Sequence, residues 1–121
     1  MTISIDDFKK LEIKIGQILS VEKVPDTDKL LKLSVDMGPS FAKATEGKEE
    51  RDIRQIISGI SAFFPDPQIL VGKKCAFAAN LESRVIRGFQ SQGMILAVSS
   101  EDGKFSLLEP SDEIATGARA K

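Results

Sequence analysis

The chain has 121 residues, a formal net charge of −1, 41% hydrophobic and 29% charged residues, and no histidine. A Cys/His zinc site and a histidine general base are thereby excluded, and the single cysteine, Cys75, excludes an internal disulfide. No run reaches the ~18 apolar residues of a membrane helix, and no phosphate-binding glycine loop, G-x-S-x-G turn or EF-hand spacing occurs, so catalysis has little to build on.

The elements follow in chain order. Ser4 to Leu11 reads as a short helix, with Ser4 as its cap, Asp7 completing a capping box, and Ile3 and Phe8 set for a hydrophobic staple. From Leu11 to Val24 apolar residues fall at odd positions (Leu11, Ile13, Ile15, Leu19, Val21), the period of a half-buried strand. Gly16 within it marks a bulge or bend, so this long strand is expected to serve both halves of a small barrel. Val24-Pro25-Asp26-Thr27-Asp28 is turn chemistry. A second strand carries Leu31, Leu33, Val35 and Met37 inward and Lys32, Ser34 and Asp36 outward.

Residues 39–50 are polar, glycine-bounded and without period, and read as an inserted hairpin loop dispensable for the fold. A third strand spans Ile53 to Ile60. Asp66 and Pro67 cap one helical turn that Gly72 ends. Lys74 to Ala79 is the fourth strand and Met94 to Val98 the fifth. A turn at Glu101-Asp102-Gly103 leads into a short strand, Phe105 to Leu108, and residues 110–121 form an irregular tail. Cys75 reads as a small buried hydrophobe, with a reactive thiol beside Lys73 and Lys74 as the alternative. The predicted fold class is all-β with short helices: one domain over 1–121, a five-stranded OB-fold barrel with an N-terminal helix and a C-terminal extension.

Charge is unevenly placed. Residues 68–100 hold Lys73, Lys74, Arg84 and Arg87 against Glu82 alone, while the flanks are acidic. A basic patch on an acidic body attracts phosphate locally and discourages indiscriminate binding, although a solvated charged face would look the same.

Five strings occur in order: Asp28-Lys29-Leu30-Leu31-Lys32-Leu33, Arg54-Gln55-Ile56-Ile57-Ser58-Gly59-Ile60, Ala79-Asn80-Leu81, Arg87-Gly88 and Ser91-Gln92-Gly93-Met94-Ile95-Leu96-Ala97. Together they closely resemble the tRNA-binding domain at the C-terminus of bacterial methionyl-tRNA synthetases, in stand-alone structure-specific tRNA-binding proteins, and in the endothelial monocyte-activating polypeptide II group. The resemblance implies an OB-fold that docks on the outer corner of folded tRNA and reads shape more than sequence. It implies a non-catalytic accessory domain or beta subunit of the synthetase, or a free-standing protein; a cytoplasmic location is the default expectation from a start without the charged-then-apolar pattern of a secretory signal. It implies no cofactor and no metal, and a homodimer assembled through the N-terminal helix and C-terminal segment.

The residues expected at tRNA are Lys29, Lys32, Arg84 and Arg87 toward phosphates, Gln55, Ser58, Asn80, Ser91 and Gln92 toward bases or 2′-hydroxyls, and Met94 as an apolar platform. Several have a second reading. Lys29 is also placed to pair with Asp26 or Asp28, Asn80 to cap a turn, Met94 to fill the core, and Phe89 either to stack a base or to pack. The chain has no Tyr or Trp, so any stacking falls to Phe. Two other functions remain open at this level: a dimeric chaperone-like OB module, and a protein-docking module. The initiating Met1 and the capped first helix favour a separately made polypeptide. The apolar series Ile3, Ile5, Phe8 and Phe105, Leu107, Leu108, Ile114 leaves surface for a twofold contact.

Overall fold

The computed structural model describes the backbone of residues 1–45 and 48–121, and the side chains of 1–40 and 50–121. Helix α1 (Ile5–Lys9) begins at Ser4, whose hydroxyl accepts from the Asp7 amide at 3.1 Å. The expected staple does not bury Ile3, which stays 64% exposed.

Strand β1 (Ile13–Lys23) does serve two neighbours. Residues 13–17 pair antiparallel with β4 (Lys74–Ala78), and 17–23 pair with β2 (Leu31–Thr45). The partner changes at Gln17, next to Gly16, and the register shifts between Ile18 and Ser20. That shift corrects the odd-position reading. An extra residue in one strand moves every later side chain to the opposite face. The buried residues are therefore Gly16, Ile18 and Val21, while Leu19 faces out.

In β2, Leu31, Leu33, Val35 and Met37 all point into the core as expected, and β3 (Lys48–Ser58) pairs along it. The loop reading of 39–50 is corrected as well. Strand pairing continues through Pro39↔Arg51, Ser40↔Glu50 and Thr45↔Lys48, with register shifts between. Alternation reports a buried face, but two backbones need none to form a ladder, so an arm beyond the core carries no periodic signal. Residues 46 and 47, and the side chain of Phe41, lie outside the described residues.

Two 3-10 turns, Ser61–Phe63 and Pro67–Leu70, connect β3 to β4. Asp66 caps the second by accepting from the Gln68 amide at 3.2 Å, and Leu70 is fully buried. After β4 the chain forms a hairpin that periodicity did not announce, β5 (Arg84–Ile86) and β6 (Phe89–Ser91). The expected fifth strand is split. Met94–Ile95 (β7) pairs with β4, and Ala97–Ser99 (β8) pairs with β9 (Phe105–Leu107) in a separate ribbon.

The sheet order is β3-β2-β1-β4-β7, an all-β, OB-like half-barrel curled around Phe77, Ile18, Leu31, Leu33, Met37 and Ile56. Leu107, read from sequence as surplus surface, is only 6% exposed and belongs to this core.

The last residues are not loose. The Ile15 amide donates to the Ala118 carbonyl at 2.8 Å, and the Gly117 and Ala120 amides donate to the Ile15 and Ile13 carbonyls at 2.7 and 2.8 Å. The tail thus lies along the first half of β1. Cys75 is fully buried in the barrel core, and burial pushes its thiol up to about 11, with Glu109 adding to the effect and Lys73 opposing it. At pH 8 a thiol reagent is expected to modify Cys75 only as fast as the barrel opens, and at once in denaturant. Fast modification of the folded protein would contradict the burial. The unfolded thiol ionises near its ordinary 9.0, so this group's stabilising contribution is complete below pH 9 and is lost as pH rises toward 11.

Candidate nucleic-acid interface

The seam between β3 and residues 90–93 closes the barrel, largely through side chains. Gln92 donates its amide N–H to the Gln55 carbonyl at 2.8 Å, and its Oε1 accepts the Gln55 amide at 3.0 Å. Gln55 Nε2 donates to the Gln90 carbonyl at 2.9 Å. Ser91 is 2% exposed; its hydroxyl accepts from the Ile57 amide at 3.0 Å and donates to the Gly93 carbonyl at 3.1 Å. Gly93 is needed here for space and conformation. Its φ is +154°, and an added Cβ would sit 3.0 Å from the Ala78 carbonyl oxygen.

Arg54, which sequence reasoning passed over, locks the same seam. Its Nε and Nη2 grip Asp52 at 3.2 and 2.9 Å, while Nη1 donates to the carbonyls of Ala79 and Gln92. The signal that could have found it is its position in the string Arg54-Gln55, two strand residues from Asp52 and so on the same face. Ser91 therefore spends its hydroxyl on the barrel, and Gln92 and Gln55 each spend one end of the side-chain amide there. Ser58 is half-buried at the end of β3, opposite Leu31.

Asn80 is spent similarly. Its Oδ1 accepts from the Glu12 amide at 2.8 Å and its Nδ2 donates to the Lys10 carbonyl at 2.5 Å, stapling the end of β4 to the exit of α1. This realises the turn-capping alternative. Asn80→Ala is expected to cost about 1–2 kcal/mol, two modest exposed hydrogen bonds, and to speed amide exchange over residues 5–12. Unaltered exchange there would show that the staple contributes nothing.

The cations divide into two groups. Lys73 pairs with Glu109 at 3.4 Å, and Lys74 donates to the carbonyls of Asp112 and Ile114 at 3.3 and 2.8 Å, so two of the four cations in the basic stretch face the tail. Lys32 pairs with Glu22 at 3.2 Å and lies 5.0 Å from the Phe89 ring centroid. Lys29, Arg84 and Arg87 are exposed and have no ion pair among the described residues, which answers the pairing alternative for Lys29.

Lys29 and Arg87 line one open cleft of about 450 Å³ with Asp26, Asp28 and Ile86. Arg87 and Gly88 have φ of +52° and +83°, the two left-handed residues of a tight hairpin turn, flanked by the pair Ile86↔Phe89. The hairpin holds Arg87 at its tip and Arg84 three residues back, about 10 Å away at strand rise. Met94 is 41% exposed, so the platform reading is sterically open and the core reading is not.

Residues 13–119 match the family described as "Putative tRNA binding domain". The chain belongs to this tRNA-binding family. The domain is 41% identical over 116 residues to a methionine–tRNA ligase of Enterococcus faecalis and 42% identical over 117 residues to that of Lactococcus lactis, covering 96% of this chain and 16% of each ligase. It thus spans about a sixth of the length of these relatives. A crystal structure of a MetRS-related protein from Pyrococcus horikoshii superposes with a TM-score of 0.81 at 35% identity, covering 100% of this chain and 99% of that one. The chaperone CsaA of Bacillus anthracis shares the fold, with a TM-score of 0.79 at 22% identity over 100% of both chains. The tRNA-binding domain carries its family strings largely in the barrel seam, and Lys29, Arg84 and Arg87, without an ion pair among the described residues, at the β1–β2 turn and the β5–β6 hairpin.

Proposed function

We propose that residues 1–121 act as one domain that binds folded tRNA by shape, as an accessory domain or beta subunit of a cytoplasmic methionyl-tRNA synthetase or as a free-standing protein. The observation that carries this reading is the set Lys29, Arg84 and Arg87, exposed and without carboxylate partners among the described residues, at one end of the barrel. Phosphate contacts there fix the orientation of an RNA without reading its bases. Met94 borders this surface in the proposal, while Lys32, paired with Glu22, stands on the adjoining sheet face and takes no phosphate. Gln55, Ser58, Asn80, Ser91 and Gln92 shape it from behind.

The working form is a homodimer in this proposal. Ile5, Phe8, Leu11 and Ala120, together with Lys9, Arg119 and Lys121, line a groove of about 510 Å³ between α1 and the end of the tail, and Ile5 is 65% exposed. Two barrels joined there would hold two cationic ends in fixed relation, which suits a ligand as large as tRNA.

The test is a salt titration with tRNA and a duplex DNA of equal length. Binding is expected to favour tRNA and to weaken steeply with salt, by a log–log slope of roughly 0.7 to 0.9 per phosphate contacted. Equal affinity for both ligands would refute shape recognition, and a salt-independent affinity would favour apolar docking of a protein partner. Light scattering at micromolar concentration is expected to give twice the chain mass; a monomer mass unchanged on concentration would remove the dimer.

A further inference from the structure

OB barrels commonly bind oligonucleotides across the strand 2–3 face and its neighbouring loops. In this chain the outer face of β1–β3 is charge-compensated. Glu22 and Lys32 stand directly opposite each other in the β1–β2 ladder, with Glu22 Oε2 3.2 Å from Lys32 Nζ. The ammonium also lies 5.0 Å from the centroid of Phe89, and the Lys32 side chain is only 30% exposed. Ser20, Ser34 and Gln55 line the shallow cleft around this pair without adding charge, and Arg54, which also lines it, is held by Asp52 at 2.9 Å. Farther along β2 and β3, Asp36 holds Arg51 at 3.1 Å. Lys29, Arg84 and Arg87, which are exposed and have no ion pair among the described residues, lie off this face, at the β1–β2 turn and the β5–β6 hairpin.

We infer that Glu22 is a specificity determinant: by masking Lys32 it closes the sheet face to phosphate and confines phosphate contact to the end marked by Lys29, Arg84 and Arg87. The inference rests on the tRNA-binding reading and deepens it. A flexible single strand follows any continuous basic track. A neutral sheet face interrupts that track, and only a rigid, folded RNA then presents several phosphates to the cationic end at once. The masking works through preoccupation. A phosphate approaching Lys32 must displace a carboxylate that the antiparallel register holds in place, and meets the repulsion of that carboxylate if it does not.

The test uses Glu22→Gln, nearly isosteric at a side chain 66% exposed, with a 12-nucleotide oligouridylate and folded tRNA as probes. The variant is expected to bind oligouridylate roughly three- to tenfold more tightly, with about 0.7 added to the salt slope, and to lose preference for tRNA. Adding Lys32→Gln to that variant is expected to return oligouridylate binding to the original level. Lys32→Gln alone is expected to change little, because the masked ammonium takes no phosphate. Unchanged affinity and slope in Glu22→Gln, or a gain that survives the loss of Lys32, would overturn the inference. So would a loss in Lys32→Gln as large as that from removing Arg87. If the unaltered protein fails to bind tRNA, the functional reading falls, while the Lys32-dependent gain in oligouridylate binding still decides the role of Glu22.

Discussion

Gly16→Ala is expected to destabilise the barrel by about 1–3 kcal/mol, and Gly16→Val by more, enough to leave a substantial unfolded fraction. Gly16 lies inside the barrel, where β1 passes from β4 to β2. A Cβ there would meet Val35 Cγ1 at 2.7 Å, Met37 Sδ at 2.8 Å and Phe77 Cδ2 at 3.0 Å. Met37 is flexible and can yield. Val35 and Phe77 are fully buried, and Val35 is β-branched on a central strand, so neither has room to retreat. Relief requires β1 to move outward, at the cost of the ladders on both its sides. Gly59 supplies the control, because nothing lies within 4 Å of a Cβ placed there and its φ lies outside the left-handed region. Gly59→Ala is expected to be neutral or stabilising by a few tenths of a kcal/mol. Denaturant midpoints measure both; an unchanged midpoint for Gly16→Ala would mean the first strand is less tightly held than its contacts indicate.

The paired replacement Arg84→Gln with Arg87→Asn is expected to weaken tRNA binding roughly ten- to a hundredfold at physiological salt, and to flatten the salt slope by two contacts of about 0.7 to 0.9 each. Asparagine is chosen at Arg87 because that residue has a φ of +52° ahead of Gly88 at +83°. Asn-Gly is a preferred occupant of such a turn, whereas alanine would strain it and confound charge loss with hairpin loss. Arg84 lies on an exposed strand opposite Ser91, so glutamine keeps the backbone pairing. Denaturant stability is therefore expected to stay within about 0.5 kcal/mol, the range of ordinary surface substitutions. A lower affinity with an unchanged slope would place the two guanidiniums away from phosphate. An unchanged affinity would move the RNA to another face.

The arginines were legible in the sequence because a local excess of charge needs no coordinates to be seen. The polar site residues were harder to place. Ser91, Gln92, Gln55 and Asn80 stood out as members of family strings, and a string does not say whether its residues face a ligand or the molecule itself. Ser91 reaches the Ile57 amide across 34 residues and Asn80 reaches the Glu12 amide across 68. The β5–β6 hairpin escaped notice because three-residue strands are too short to show alternation, although its Arg87-Gly88 turn was quoted.

By itself the sequence determined what depends on neighbours in the chain. The Ser4 and Asp66 caps, the inward face of β2, the long two-partner first strand and the burial of Cys75 all follow from side-chain period, turn chemistry and hydropathy over a few residues. Tertiary structure alone decided what depends on which distant segment arrives where. The bulge after Ile18 changed the buried face of β1, the tail settled along residues 13–15, and carboxylates took Lys32 and Lys73 while Lys29, Arg84 and Arg87 were left without an ion pair among the described residues. The reason is one of range. Backbone preference and periodicity act within a turn or a strand, whereas an ion pair or a barrel seam exists only once folding has brought remote residues within about 3 Å of each other.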